Sequence, residues 1–182
     1  MKQLKWILAI MVTMVICFTL SSCSKDDDND LDGGKKGITA TLDGKSMNFT
    51  NVYYYVIYNT MYIEFYSYDI TNPKISSNTK VNFLSIDYDI PSSQTEIETT
   101  TLEGGNYHLY VAEGVTMNDE GWQGENDYRG INDSPLEIIR DGNKITINIK
   151  SAQVEDESDD NRELKLSFSG SIPLMPDDYI DY

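Results

Sequence analysis

Tyr53-Tyr54-Tyr55-Val56-Ile57-Tyr58-Asn59-Thr60-Met61-Tyr62-Ile63-Glu64-Phe65-Tyr66-Ser67-Tyr68 is the stretch on which the fold turns. β-Branched and aromatic side chains suit a pleated, half-buried surface, and Asn59-Thr60 offers a two-residue hairpin loop. With that loop, Tyr58 faces Met61, Val56 faces Ile63 and Tyr54 faces Phe65, and these pairs share one apolar face. Strand geometry sends Tyr53, Tyr55, Ile57, Tyr62, Glu64 and Tyr66 to the other face. A slip of one residue would exchange the two faces, so burial of one of them holds the register. The second face is either covered by another layer or open to a ligand. Glu64 leans the expectation toward open, because an unpaired carboxylate is costly to bury.

Outward from this hairpin the same period of two recurs. Ile38 to Leu42, the turn Asp43-Gly44 and the run from Met47 to Val52 predict strand, turn and strand. Lys80 to Ile90 places Leu84, Ile86, Tyr88 and Ile90 on one face and stops at Pro91. Pro91 to Gly105 reads as a polar connection. Asn106 to Ala112 points Tyr107, Leu109 and Val111 one way and His108 and Tyr110 the other. An Asp141-Gly142 turn sets Ile138 against Ile145 and Leu136 against Ile147. The apolar parity then changes between Ile149 and Val154, which predicts a bulge. Leu164, Leu166, Phe168, Gly170 and Ile172 alternate with Lys165, Ser167, Ser169 and Ser171, as a half-buried strand requires. No segment of helical length carries a 3.6-residue apolar period. Eight or nine short strands predict an all-β, antiparallel β-sandwich, with an open β-barrel as the alternative.

Glu113 to Pro135 reads as one long acidic, glycine-rich loop carrying Trp122 and Tyr128. Loops on a rigid scaffold often carry function. The candidate ligand-binding residues are therefore Tyr53, Tyr55, Tyr62, Tyr66, Trp122 and Tyr128. Catalysis has thinner support: the chain has one histidine, His108, among 30 acidic residues. A multi-histidine zinc site is excluded, and no pair of carboxylates stands out by spacing for glycoside hydrolysis.

The N-terminus reads as a targeting segment. Lys2 and Lys5 precede an uncharged run from Trp6 to Leu20, the plan of a signal peptide. Leu20-Ser21-Ser22-Cys23 resembles a bacterial lipobox, in which the cysteine is lipidated and begins the mature chain. Ser24-Lys25-Asp26-Asp27-Asp28 and the acids after it resemble the export signal of surface lipoproteins in the Bacteroidota. The division this implies is a signal peptide over 1–22, a lipidated Cys23 with an acidic tether over 23–36, and a β-sandwich domain over 37–182. The resemblance implies a multiply acylated cysteine, and two or more acyl chains hold stably where one holds reversibly. It places the protein on the outer membrane, facing outward.

Both cysteines are then accounted for, Cys17 in the discarded segment and Cys23 at the lipid, so packing alone must stabilise the domain. Removing Lys2 and Lys5 from 14 basic residues leaves 12 against 30 acidic ones, a net −18 for the mature chain. That charge disfavours nucleic acid. Asp28-x-Asp30-x-Asp32-Gly33 begins like a calcium loop, but the twelfth position is Thr39 where a bidentate Glu is needed. Calcium is thus a weak candidate ligand, and no other metal or cofactor is expected. Ile38 to Phe49 and the closing Lys165-Leu166-Ser167-Phe168-Ser169-Gly170-Ser171-Ile172 resemble small Bacteroidota lipoproteins built on domains of unknown function. The expectation is a lipid-anchored binding or structural module with a carbohydrate or protein ligand. The alternatives are a hydrolase on the same scaffold or an acidic immunity or adaptor lipoprotein.

Overall fold

A computed structural model describes residues 38–70, 79–118, 121–123, 127–130, 134–155 and 161–179. All of them belong to the compact unit Gly33–Tyr182. Twelve strands are present among the described residues, with no α-helix and one 3₁₀ turn at Asp177–Tyr179. They are β1 (Thr39–Leu42), β2 (Lys45–Met47), β3 (Asn51–Ile57), β4 (Thr60–Tyr66), β5 (Lys80–Asp89) and β6 (Thr100–Leu102), followed by β7 (His108–Asn118), β8 (Gly121–Gln123), β9 (Asp127–Gly130), β10 (Leu136–Asp141), β11 (Lys144–Glu155) and β12 (Asn161–Gly170).

The strands form one antiparallel sheet in the order β2-β1-β12-β11-β9-β7-β5-β4-β3, with β6 and β10 branching from β11 and β8 from β7. The sheet curls until its two halves face each other. Phe65 on β4 meets Phe168 on β12 edge to face at 5.8 Å, although four strands separate them along the ladder. Face-to-face halves are the sandwich feature and unbroken pairing is the barrel feature. Both occur in this all-β unit. Closure comes from the chain beyond β12. The Tyr54 amide donates to the Pro173 carbonyl at 3.1 Å, and the Met175 amide donates to the Tyr54 carbonyl at 2.8 Å. The tail thereby covers the β3 edge at Tyr54, where an open edge would invite pairing with another chain.

The interior collects the inward face of each strand: Val52, Met61, Ile63, Phe65, Leu84, Ile86, Leu109, Val111, Ile147, Leu164, Leu166 and Phe168 are all buried. The expected parity is therefore correct in both hairpins, while the register differs. Val56 pairs with Met61, Tyr54 with Ile63 and Val52 with Phe65, because the loop is Tyr58-Asn59 and not Asn59-Thr60. The Asn59 carbonyl accepts from the Ile90 amide at 2.8 Å, which fixes the loop one residue earlier. Tyr58 consequently points into solvent, 95% exposed, instead of facing Met61. In the second hairpin Ile138 pairs with Ile147 and Leu136 with Ile149, around a Gly142-Asn143 loop. Each partner shifts by two residues, which leaves the faces intact.

Two other expectations need changing. The predicted strand from Met47 to Val52 is broken at Asn48–Thr50, since β2 and β3 lie at opposite ends of the sheet order. Asn48 and Thr50 in this connection are exposed, and Phe49 between them packs on Phe65 at 6.0 Å. The polar connection Pro91 to Gly105 contains β6, paired with β10. Other readings are borne out. Asp43 and Gly44 take φ of 49° and 74°, as the tight turn requires. The β11 register shifts between Ile149 and Ala152, so that Ile149 and Val154 both point inward despite their opposite parity.

Phe168→Ala should cost about 3–5 kcal/mol in urea unfolding, as for other core phenylalanines. Tyr58 holds φ of 55°, a left-handed conformation that costs an L-residue about 1–2 kcal/mol. Tyr58→Gly should therefore raise the unfolding midpoint, and a lowered midpoint would contradict the loop geometry.

Candidate functional site

The outward face of β3, β4, β5 and β7 is built from cross-strand rows. One row runs Tyr55, Tyr62, Asp87, His108, and the next runs Tyr53, Glu64, Ser85, Tyr110. In the first, the rings of Tyr55 and Tyr62 stack at 4.8 Å with 6° between their planes, and both residues are half-buried. Beside them Asp87 Oδ2 lies 2.9 Å from His108 Nδ1. The imidazole is 76% exposed, the Asp87 carboxylate 25%. This end of the face meets solvent.

The other end is closed. Tyr66 is buried under Tyr68 (5.5 Å) and Phe83 (5.1 Å), in a second apolar cluster with Val81, Ala112, Val115 and Met175. Met175 reaches this face because Pro173–Met175 is strapped along β3, and it is only 2% exposed.

Glu64 lies between the two ends and is 8% exposed. Tyr55 Oη donates to its Oε1 at 2.9 Å, and Tyr66 Oη donates to Oε2. Burial raises its pKa above the ordinary carboxylate value, the two phenol hydrogen bonds pull it back, and the nearby Asp87 charge adds to the rise. The phenols respond in kind. Burial first, then the Glu64 charge, pushes Tyr55 and Tyr66 well above the usual phenol range and Tyr68 up to about 12. The inference that Glu64 marks an open face is thus corrected, since two tyrosine hydroxyls satisfy the carboxylate and make its burial tolerable.

Tyr53, Tyr55, Tyr62 and Tyr66 do share this face. Tyr128 does not: it is 2% exposed in the interior, opposite Val111, with the Arg162 guanidinium 5.2 Å over its ring. The stretch from Glu113 to Pro135, read as a single loop, holds the end of β7 together with β8 and β9, and that strand pairing turns Tyr128 inward. Trp122 sits on β8 opposite Met117. Met117 is nine residues along β7 from His108, about 30 Å at 3.3 Å per residue. Cys23, Ser24, Lys25, Asp26, Asp27, Asp28 and the calcium-like spacing lie outside the described residues. Among the described residues no cluster of three acidic, His or Cys side chains is arranged to hold a metal.

No family model, curated protein or solved structure matches this chain. The site must be read from its own chemistry.

A concavity of about 490 Å³ lies elsewhere, over β1, β12 and β11 between Thr39, Thr41, Asn148, Lys150, Lys165 and Ser167. Lys165 is engaged with Glu163 at 2.9 Å, and Asn148 with Glu137 at 3.2 Å. That groove contains no aromatic platform. The tyrosine face, with rings, a carboxylate and an imidazole at one solvent edge, is the better-equipped surface.

Because the folded state binds a proton on Glu64 more tightly than the unfolded chain does, this group favours folding most at low pH. That advantage falls as pH rises from the unfolded pKa toward the folded one. Glu64→Gln should remove the slope, so the variant gains on the native protein between pH 4 and pH 7. A stability difference independent of pH, measured by urea unfolding at both values, would contradict the buried, charged assignment.

Proposed function

We propose that this chain is a lipid-anchored module of the outer-membrane surface that binds a ligand on its tyrosine face. The anchor rests on Leu20-Ser21-Ser22-Cys23 and the acids following it. The observation that carries the binding role is the half-buried Tyr55–Tyr62 stack beside the Asp87–His108 pair. Flat π-surface flanked by hydrogen-bonding groups is what sugar rings and protein side chains use for recognition. The buried Glu64 holds the Tyr55 phenol, so ring orientation is set before a ligand arrives. Preorganisation of this kind lowers the ordering cost of binding. His108, hydrogen-bonded to Asp87 beside the stack, leaves an exposed imidazole edge for a ligand.

Two measurements test this reading. Cys23→Ala should abolish fatty-acid incorporation and leave uncleaved precursor in the membrane fraction, and normal acylation of that variant would refute the anchor. For the face, the detergent-solubilised chain with ¹³C-labelled tyrosine is titrated with panels of oligosaccharides and peptides. At least one panel should shift the Tyr55 and Tyr62 ring resonances saturably. Tyr62→Leu should lose about 0.5–1.5 kcal/mol of stability with the stack and weaken that binding about tenfold. Unmoved ring resonances across both panels would overturn the binding role.

A further inference from the structure

The charge pattern of the tyrosine face says what kind of ligand it takes. Glu64 is a 92% buried carboxylate satisfied by neutral phenols, and no lysine, arginine or histidine nitrogen lies within 4 Å of it among the described residues. Asp87 is two residues beyond Ser85, the β5 partner of Glu64, and Asp89 pairs with Thr60 in the next row. Against these three carboxylates stand His108, engaged with Asp87, and Arg129, opposite Tyr110 at the far end of its row. The negative π-faces of Tyr55 and Tyr62 add to the same sign. A neutral sugar would gain stacking and leave this charge uncompensated. An ammonium or guanidinium would gain both terms, and cation–π contact strengthens as the site is desolvated.

The neighbouring backbone narrows the ligand further. Tyr54 directs its amide and carbonyl away from β4 to the tail, and in an antiparallel pair every second residue points the same way. Val56 therefore presents its amide and carbonyl on that free edge, next to Tyr55, and no loop or tail hydrogen bond fills them among the described residues. A small amine has no use for such an edge. An extended peptide does, because it can pair there and send alternate side chains across the sheet face.

Accepting that the tyrosine face is the binding surface, we propose that its partner is a basic protein segment. The segment pairs in extended form with β3 at Val56 and lays an arginine or lysine side chain over the Tyr55–Tyr62 stack toward Asp87 and Glu64. The net charge of −16 steers a basic partner to the surface, and that attraction weakens with salt.

The test uses the detergent-solubilised full chain labelled with ¹⁵N and with ¹³C-tyrosine. The probes are an alternating arginine–valine hexapeptide, spermine and maltohexaose. The hexapeptide should shift the Tyr55 and Tyr62 rings and the Val56 amide saturably. Asp87→Asn should weaken it at least fivefold, while the same loss of charge at the exposed Glu103 (Glu103→Gln) should not. Peptide shifts spread over the acidic surface, or equal losses in the two variants, overturn the proposal. If spermine matches the peptide and Val56 stays still, the face takes a cation but not a strand, and the protein partner is wrong. If maltohexaose alone moves the tyrosine rings, the basic-ligand proposal fails and the binding surface stands. If no probe moves them, both fail.

Discussion

A glutamate on the outward side of a sheet must either reach water or find donors, and Glu64 finds donors. Its two oxygens accept from Tyr55 and Tyr66, one residue at the solvent end of the aromatic face and one at its closed end. Removing either phenol would strand a buried acceptor, at a cost of about 1–3 kcal/mol, more for a charged one. The carboxylate thus ties the half-buried stacked pair to the apolar cluster under Met175. Were it a leucine, the rings would be held by packing alone.

That arrangement depends on closure of the sheet at its β3 edge. β3 and β12 lie far apart in strand order, yet the chain leaving β12 crosses to Tyr54 and buries Met175 beside Tyr66. The interior contact between Phe65 and Phe168 brings the two halves close enough for so short a tail to reach. Core packing therefore sets the position of the strap, the strap covers one end of the face, and the other end stays available.

Much of this is written in the alternation of side chains. The period of two assigns Tyr53, Tyr54, Tyr55, Tyr62 and Tyr66 to their correct faces, though not the loop residue Tyr58, and a change of parity at Ile149 announces the β11 bulge. Pairing partners are less legible, because a shift of two residues preserves every face. Only a tertiary contact, the Ile90 amide on the Asn59 carbonyl, chooses between the registers. The β7–β9 region misleads for a different reason. Val81 pairs with Val115 and Phe83 with Ala112, so one extra residue on β7 near Gly114, whose φ is +62°, breaks the alternation, and the sequence beyond it reads as loop. Tyr128 was hidden by the same break, since parity has no meaning until a strand is recognised. The burial of Glu64 could not be read locally either. Its donor Tyr55 lies across a strand and Met175 lies at the far end of the chain.

Glu64 is a buried acceptor clamped between two phenols, and the rest of the face depends on that clamp. It is tested most directly by ¹³C NMR titration of the Glu64 carboxyl carbon, followed together with the ring carbons of Tyr55 and Tyr66. The carboxyl should titrate above the ordinary glutamate value, with both rings reporting the same inflection and no phenol ionisation below about pH 10, the ordinary value. A Glu64 that titrates as a free side chain, with silent tyrosine rings, would contradict it.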